Sequence, residues 1–244
     1  MKFLSQVSVI AVGMMSVVTV GTALAGQTQY GDFSASVGLE SDYRFRGITK
    51  SDEMLSANAG ISWQHDSGFY AGLDGASVDL NDGNEATVEG IAYAGFGRNL
   101  GNGLQVSGAV TGTFYPGADT RFNYNYVELQ GRTTYDFSFA HVAADLNYSP
   151  NFFGETGDAV YMGGRVDVPL MNTGITATAT GGYQWIERNV RFGAPDYANW
   201  SLGANYNWRG VDLGAKYTDT NISNAWCADG CDATGVVSMG YKFF

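Results

Sequence analysis

The segment that decides the fold is Ile175-Thr176-Ala177-Thr178-Ala179-Thr180-Gly181-Gly182-Tyr183-Gln184-Trp185-Ile186, in which apolar and polar residues alternate. One side of an extended chain would carry Ile175, Ala177, Ala179, Tyr183 and Trp185, and the other side Thr176, Thr178, Thr180 and Gln184. Successive side chains of a β-strand point to opposite faces of its sheet. The segment therefore predicts a strand with one apolar face and one polar face.

Other segments of the chain alternate in the same way, separated by clusters of Gly, Asn, Asp and Pro that are typical of turns. The predicted strands cover residues 33–46, 56–65, 69–78, 87–98, 104–115, 124–133, 139–148, 159–168, 175–186, 198–208, 211–218 and 236–243. The fold class that this pattern predicts is all-β, with about twelve antiparallel strands. Ten or fourteen strands are the alternative counts.

The connections between these strands alternate between short and long. The short ones are residues 66–68, 99–103, 134–137, 171–174 and 209–210, and the long ones are 47–55, 79–86, 116–123, 149–158, 187–197 and 219–235. An even number of strands with tight turns at one end and longer loops at the other is the layout of a bacterial outer-membrane β-barrel. Both termini would then lie on the periplasmic side.

A soluble β-sandwich also has alternating strands, so alternation alone does not choose between the two folds. Aromatic residues near the ends of the apolar faces favour the transmembrane barrel, because they form girdles at the two membrane interfaces. These residues are Tyr43, Phe45, Trp63, Phe96, Phe114, Tyr183, Trp185, Tyr206, Trp208, Tyr241 and Phe243.

The start of the chain predicts a cleaved signal peptide over residues 1–25. Lys2 precedes an apolar run over 7–20, and Ala23-Leu24-Ala25 forms a cleavage site of the A-x-A type. The run is too short to cross a hydrocarbon core of about 30 Å as a helix, and no later segment reaches the roughly 18 apolar residues that a spanning helix needs. We therefore expect residues 26–244 to form an exported barrel located in the cell outer membrane.

The charge balance limits the partners. The whole chain has a formal net charge of −11, which argues against a nucleic-acid partner because phosphate binding requires a basic face. The excess acid falls mainly in the predicted external loops, where it would attract cations to the mouth or bridge divalent ions to lipopolysaccharide. The lipid and lipopolysaccharide of the outer membrane are therefore expected partners.

Charged residues on the polar faces are the candidate functional site. The first predicted strand carries Glu40, Asp42, Arg44 and Arg46 on one face, either as part of a constriction that orients polar solutes or as ion pairs that fill the interior. The other candidates for the pore lining are Asp74, Glu128, Arg132, Asp145, Arg165, Asp167, Asp212 and Lys216. The function that this pattern predicts is passive diffusion of small hydrophilic solutes, with a non-conducting structural or surface-interaction barrel as the alternative.

The remaining residues of chemical interest give no catalytic site, cofactor site or metal site. Cys227 and Cys231 lie close together in an exported protein, which favours a local disulfide, whereas a metal would need further ligands. His65 falls at the periplasmic end of a predicted strand. His141 shares a face with Asp145, but their Cα atoms would lie about 13 Å apart along a strand. The protein is therefore not expected to be an enzyme.

The segment Ser41-Asp42-Tyr43-Arg44-Phe45-Arg46-Gly47-Ile48-Thr49 resembles the opening signature of the TorF, or Gcw_chp, family of outer-membrane porins. Residues 67–72, 115–117 and 148–158 agree with the same family in the expected order. The resemblance implies an outer-membrane location and a channel role in a family that mostly lacks assigned substrates. It implies no catalytic residues.

The last strand predicts a further partner. Residues 237–244 alternate and end on Phe243 and Phe244, although Phe244 falls out of phase with the apolar face. Outer-membrane proteins commonly end on such a strand, so we expect the barrel-assembly machinery to recognise it.

Overall fold

The computed structural model describes residues 26–28, 30–83 and 86–243. The predicted signal peptide and Phe244 lie outside the described residues.

The described residues form fifteen β-strands, of which twelve make a closed barrel. The strands are β1 (Gly26–Thr28), β2 (Gly31–Glu40), β3 (Arg44–Phe45), β4 (Ile48–Thr49), β5 (Ser56–Gln64), β6 (Phe69–Ser77), β7 (Val88–Gly101), β8 (Leu104–Phe114), β9 (Tyr126–Asp136), β10 (His141–Ser149), β11 (Ala159–Leu170), β12 (Ile175–Ile186), β13 (Tyr197–Trp208), β14 (Val211–Thr220) and β15 (Thr234–Lys242). A four-residue helix, α1 (Asn189–Phe192), and a 3-10 turn at Phe153–Glu155 lie in loops.

The barrel consists of β2 and β5–β15, each paired antiparallel with the next strand along the chain. β2 pairs with β5 on one side and with β15 on the other, which closes the ring. The short strand β1 adds a pairing to the start of β2, where Gly26 faces Phe33. The predicted barrel of twelve antiparallel strands is therefore confirmed.

The outer surface of the barrel is a belt of exposed apolar side chains. Leu73 and Leu202, near the middle of β6 and β13, are 52% and 63% exposed, and Met162 on β11 is 53% exposed. So much apolar surface would be costly in water, whereas hydrocarbon covers it at no such cost. The belt explains why every second residue in the sequence of these strands is apolar. Among the residues that the structure describes, no helix combines the length and the apolar character of a membrane span.

Aromatic side chains border the belt at both ends. At the end with the tight turns, Trp208 and Phe243 are about half exposed. At the opposite end, Trp185 and Trp200 face outward from neighbouring strands. Aromatic girdles of this kind mark the two interfaces of a bilayer.

The tight turns lie at one end of the barrel and the long loops at the other. Arg209 and Gly210 join β13 to β14 with φ of 53° and 88°, and Asn102 and Gly103 join β7 to β8 with φ of 53° and 84°. Positive φ at both central residues is the geometry of a tight two-residue hairpin turn, for which glycine is favoured. By comparison with bacterial barrels, these turns mark the periplasmic end.

The structure contradicts the predicted first strand. β2 ends at Glu40 instead of continuing to Arg46, and residues 41–51 form a separate structure that we call the inner hairpin. Its strands β3 and β4 pair with each other through a turn at Arg46 and Gly47, whose φ values are 51° and 88°. The two left-handed residues reverse the chain, so the alternation of residues 41–46 does not extend the barrel wall.

The extracellular half of the barrel contains a hydrophobic core, which we call the mouth cluster. Its buried members include Tyr43, Tyr115, Tyr126, Phe152, Ile186, Tyr197, Ile222 and Cys231. They come from the inner hairpin, the strand ends and several loops, so the loops pack against one another across the barrel mouth. Tyr43, predicted as a membrane-facing residue, is 2% exposed inside this cluster, and Phe45 packs against it.

Candidate functional site

The interior wall of the barrel is polar, and its charges occur mainly as pairs. Arg132 on β9 lies 2.7 Å from Asp145 on β10, and Arg165 lies 2.7 Å from Asp167 on β11. Lys216 on β14 lies 3.7 Å from Glu40 on β2. The alternation that predicted these residues on the polar faces thus places them on the lumen side. A lining of paired charges is close to neutral and favours water and polar solutes over one sign of ion.

Asp74 differs from the other carboxylates of the wall. Within the part of the chain that the structure describes, its Oδ2 is buried without a hydrogen-bond partner, and so is Oδ1 of Asn58 on the adjacent strand. β6, which carries Asp74, lies five places from β11 in the ring of twelve, so Asp74 and Arg165 lie on nearly opposite walls. Asp74 therefore lies across the lumen from the Arg165–Asp167 pair.

Hydroxyl groups line a cavity in the periplasmic half of the lumen. Arg165, Thr178, Thr180, Ser201, Lys216 and Ser238 are among its lining residues, and its volume is about 30 Å³. Thr178 donates a hydrogen bond of 2.6 Å to Asp167, and the hydroxyls of Thr180 and Ser201 lie 2.7 Å apart. A polar cavity of this size holds one or two water molecules.

The inner hairpin reaches one side of the barrel wall through Glu89. The Tyr43 hydroxyl donates a 2.8 Å hydrogen bond to Glu89 Oε1, and Lys50 Nζ lies 2.6 Å from Glu89 Oε2. Tyr115 also donates to Glu89. Burial, together with the negative charge of Glu89, raises the pKa of Tyr43 and of Tyr115 well above the usual value for a phenol. Both phenols therefore stay protonated and act as donors.

The other attachment of the inner hairpin lies at the turn. Arg46 donates to Glu128 on β9 at 2.8 Å and to Gln184 on β12 at 2.7 Å. Its guanidinium also lies 4.3 Å from the centre of the Tyr161 ring. β7, which carries Glu89, and β12 are five places apart in the ring. The inner hairpin therefore crosses the lumen from one wall to nearly the opposite one.

The extracellular loop 221–233 covers the inner hairpin. The Thr49 backbone N–H donates to the Gly230 carbonyl at 2.8 Å, and Arg44 donates to the Asp232 carbonyl at 2.9 Å. Cys227 and Cys231 form a disulfide within this loop. The disulfide closes the short turn that presents these carbonyls to the inner hairpin.

The predicted charge ladder of the first strand is corrected by this geometry. Glu40 belongs to the wall, whereas Asp42, Arg44 and Arg46 lie on the inner hairpin, where Arg44 pairs with Asp42 and with Glu53. Asp42, Arg44 and Arg46 therefore lie buried in the mouth of the barrel and not on a strand that faces water.

Sequence reasoning missed Lys50 and Glu89, which hold the inner hairpin, and it placed Gln184 on a polar face without a role in the site. Glu89 lies in the strand whose alternation is blurred by several glycines, and Lys50 falls in a segment interpreted as an exposed loop. The sequence signal that could have found the hairpin is Arg46-Gly47, a two-residue turn pair between two short β-prone stretches.

The two histidines lie near the periplasmic end. His65 Nδ1 lies 2.7 Å from the hydroxyl of Ser67, two residues on along the chain. The Ser67 backbone N–H donates to the same nitrogen, so the contact belongs to the tight turn. His141 pairs with Asp136 on the adjacent strand and not with Asp145.

Comparisons with known proteins agree with this architecture. Residues 25–241 match the family model described as "Bacterial protein of unknown function (Gcw_chp)", which confirms the resemblance seen in the sequence. No curated protein matches the chain.

Two solved barrels share the fold at low sequence identity. One is the KdgM porin, solved in complex with disordered oligogalacturonate: its TM-score is 0.58 at 9% identity, over 86% of this chain and 98% of that one. The other is the NanC porin, with a TM-score of 0.58 at 9% identity, over 87% of this chain and 99% of that one.

Proposed function

The chain belongs to the Gcw_chp family, and from that premise and the chemistry of its lumen we propose that it is an outer-membrane channel for passive diffusion of small hydrophilic solutes. The observation that carries the proposal is that the two faces of the same strands differ in polarity. The outward face is an apolar belt, and the inward face carries hydroxyls, amides and paired charges. A polar inward face gives water and hydroxylated solutes hydrogen-bonding partners along the lumen.

The chemistry of the lining favours the passage of solutes that are polar but not strongly charged. Arg132 and Arg165 each have a carboxylate partner at 2.7 Å. Thr178, Thr180 and Ser201 offer hydroxyls in the cavity that Arg165 lines. Such groups exchange hydrogen bonds with water and with hydroxylated solutes at little cost. We propose Glu40, Asp74, Glu128, Arg132, Asp145, Arg165, Asp167, Asp212 and Lys216 as the residues of the pathway.

The same proposal includes the cellular setting. Export through a cleaved signal peptide, assembly by the barrel-assembly machinery and contact with lipopolysaccharide are expected for an outer-membrane barrel. The aromatic girdles and the outward apolar side chains of the last strand, Val237, Met239 and Tyr241, support this setting.

A specific observation favours the second candidate, a non-conducting barrel. The mouth cluster and the inner hairpin fill the extracellular half of the lumen in this structure. If the filling were permanent, the barrel would serve as a scaffold for its surface loops.

Electrical recording separates the two candidates. The refolded mature protein would be inserted into planar bilayers, with heat-modifiable mobility on gels as the check on folding. Discrete single-channel steps, together with swelling of liposomes in neutral sugars below a size limit, are the expected result. A folded barrel that shows neither property, also in the variants described next, would overturn the channel proposal.

A further inference from the structure

The inner hairpin does not belong to the sheet of the barrel, and its side chains hold it to opposite walls. β3 and β4 pair with each other in a two-stranded sheet of their own, separate from the barrel ladder. Backbone hydrogen bonds tie the hairpin to the rest of the chain at its two ends, where Ser41 donates to the Val237 carbonyl of β15 and the Lys50 carbonyl accepts from Asp79. Ser51 also forms an isolated bridge with Asp79. A further backbone hydrogen bond runs from Thr49 to the Gly230 carbonyl of the loop above. The hairpin could therefore leave the lumen without breaking a pairing between barrel strands.

Two buried ion pairs hold the inner hairpin on different walls. Lys50 and Glu89 have side chains that are 10% and 0% exposed, and Arg46 and Glu128 have side chains that are 7% and 5% exposed. Each pair joins a cation of the hairpin to a carboxylate of the wall. Separation of a buried pair leaves charges that need water, so an undocked hairpin requires a hydrated lumen.

We propose that the inner hairpin is a gate, docked here in its closed position, and that Glu89 and Glu128 are the wall residues that hold it shut. The inference rests on the proposed channel function and adds its regulation. Opening consists of release of Lys50 and Arg46 from the two glutamates, after which the lumen hydrates from both ends.

The loop 221–233 acts as a latch over this gate. Its Gly230 and Asp232 carbonyls accept from Thr49 and Arg44, and Gly230 approaches so closely that an added Cβ would lie 2.3 Å from the Thr49 methyl group. The gate therefore opens only if this loop moves outward or lets the hairpin slide beneath it.

The first test is an unlocked variant, Arg46→Ala with Lys50→Ala, studied by single-channel recording. Its matched control is Arg132→Ala with Arg165→Ala, which removes two lumen cations whose carboxylate partners lie on the wall and not on the hairpin. Loss of either cation leaves a buried carboxylate uncompensated in the closed state, which costs more than the free energy of a tenfold change in an equilibrium constant. The unlocked variant should therefore raise the open fraction about tenfold or more. The control should change ion preference. A rise in its open fraction as large as that of the unlocked variant would assign the effect to lumen charge and overturn the gate.

The second test locks the gate. Thr49→Cys with Gly230→Cys, in a background of Cys227→Ser and Cys231→Ser, offers a new disulfide, because a Cβ at position 230 would lie 3.5 Å from the Cβ of Thr49. Oxidation should hold the channel closed and reduction should restore opening. Gly230→Cys alone in the same background is the control for strain, since Gly230 has a φ of 84°.

The outcomes separate the gate from the channel. Steady conduction by the wild type, equal conduction by the unlocked variant and no effect of oxidation in the locked variant would overturn the gate and leave the channel proposal standing. Absence of conduction in every folded variant, the unlocked one included, would overturn the channel itself.

Discussion

Lys50 Nζ lies 2.6 Å from Glu89 Oε2, and the Glu89 side chain is fully buried. A buried carboxylate requires a partner, and here the partner comes from a segment that interrupts the wall of the barrel. With the inner hairpin folded inward, Lys50 compensates the charge of Glu89, and the hydroxyls of Tyr43 and Tyr115 donate to the same carboxylate.

The first prediction concerns this pair. Lys50→Met should lower the free energy of unfolding by about 3 kcal/mol, because it leaves a buried carboxylate without its cation. Adding Glu89→Gln should recover most of that loss, since the amide keeps an oxygen that accepts from Tyr43. Urea unfolding in lipid vesicles measures both variants. Equal stability of the wild type and Lys50→Met would show that the carboxylate gains no stabilisation from Lys50.

The second prediction concerns ion preference. Arg132→Ala leaves Asp145 uncompensated in the lumen and should shift permeability toward cations, whereas Asp145→Ala should shift it toward anions. Reversal potentials in a potassium chloride gradient give the sign directly. The two variants serve as controls for each other, because each removes one member of the same 2.7 Å pair. Shifts of the same sign would place this pair outside the conduction pathway.

Most of the fold could be predicted from the sequence, because a barrel strand in lipid must alternate between an apolar and a polar face. The twelve barrel strands and the order of short and long connections are examples. Predicted strand ends differ from the observed ones by a few residues, except in the first strand. In that strand, residues 41–46 do alternate, but they belong to the inner hairpin and pack inside the lumen instead of extending the wall.

The candidate site was predictable only in part for the same reason. Period-two alternation reports which face a strand residue occupies, so Arg132, Asp145, Arg165 and Asp167 were found on the lumen side. It carries no information about a loop that folds inward, because contacts such as that of Arg46 with Gln184 join residues 138 positions apart. Pairing of that kind depends on which buried charges the completed barrel leaves to be compensated.

The third prediction concerns the loop that covers the inner hairpin. Cys227→Ser with Cys231→Ser should lower the free energy of unfolding by about 2 kcal/mol, as expected when a very short loop loses its cross-link. Hydrogen exchange at the Thr49 amide should also become faster, because that amide donates to the carbonyl of Gly230, which lies in the turn that the disulfide closes. The amides of β9 and β10 provide the internal reference. Unchanged protection of Thr49 would show that the disulfide does not order the turn.

The fourth prediction tests the membrane-facing surface. Leu202 is 63% exposed on the outward face near the middle of β13, so Leu202→Arg should cost about 2–4 kcal/mol of folding free energy in a bilayer, the usual cost of arginine at mid-membrane depth. Ala198→Arg is the matched control, because Ala198 has the same outward orientation at the extracellular end of the same strand, where the cost should fall to about 0–1 kcal/mol. Reversible urea unfolding in vesicles measures both. Similar costs at the two positions would mean that the bilayer is not centred on the apolar belt, and the orientation of the pathway across the membrane would have to be reassigned.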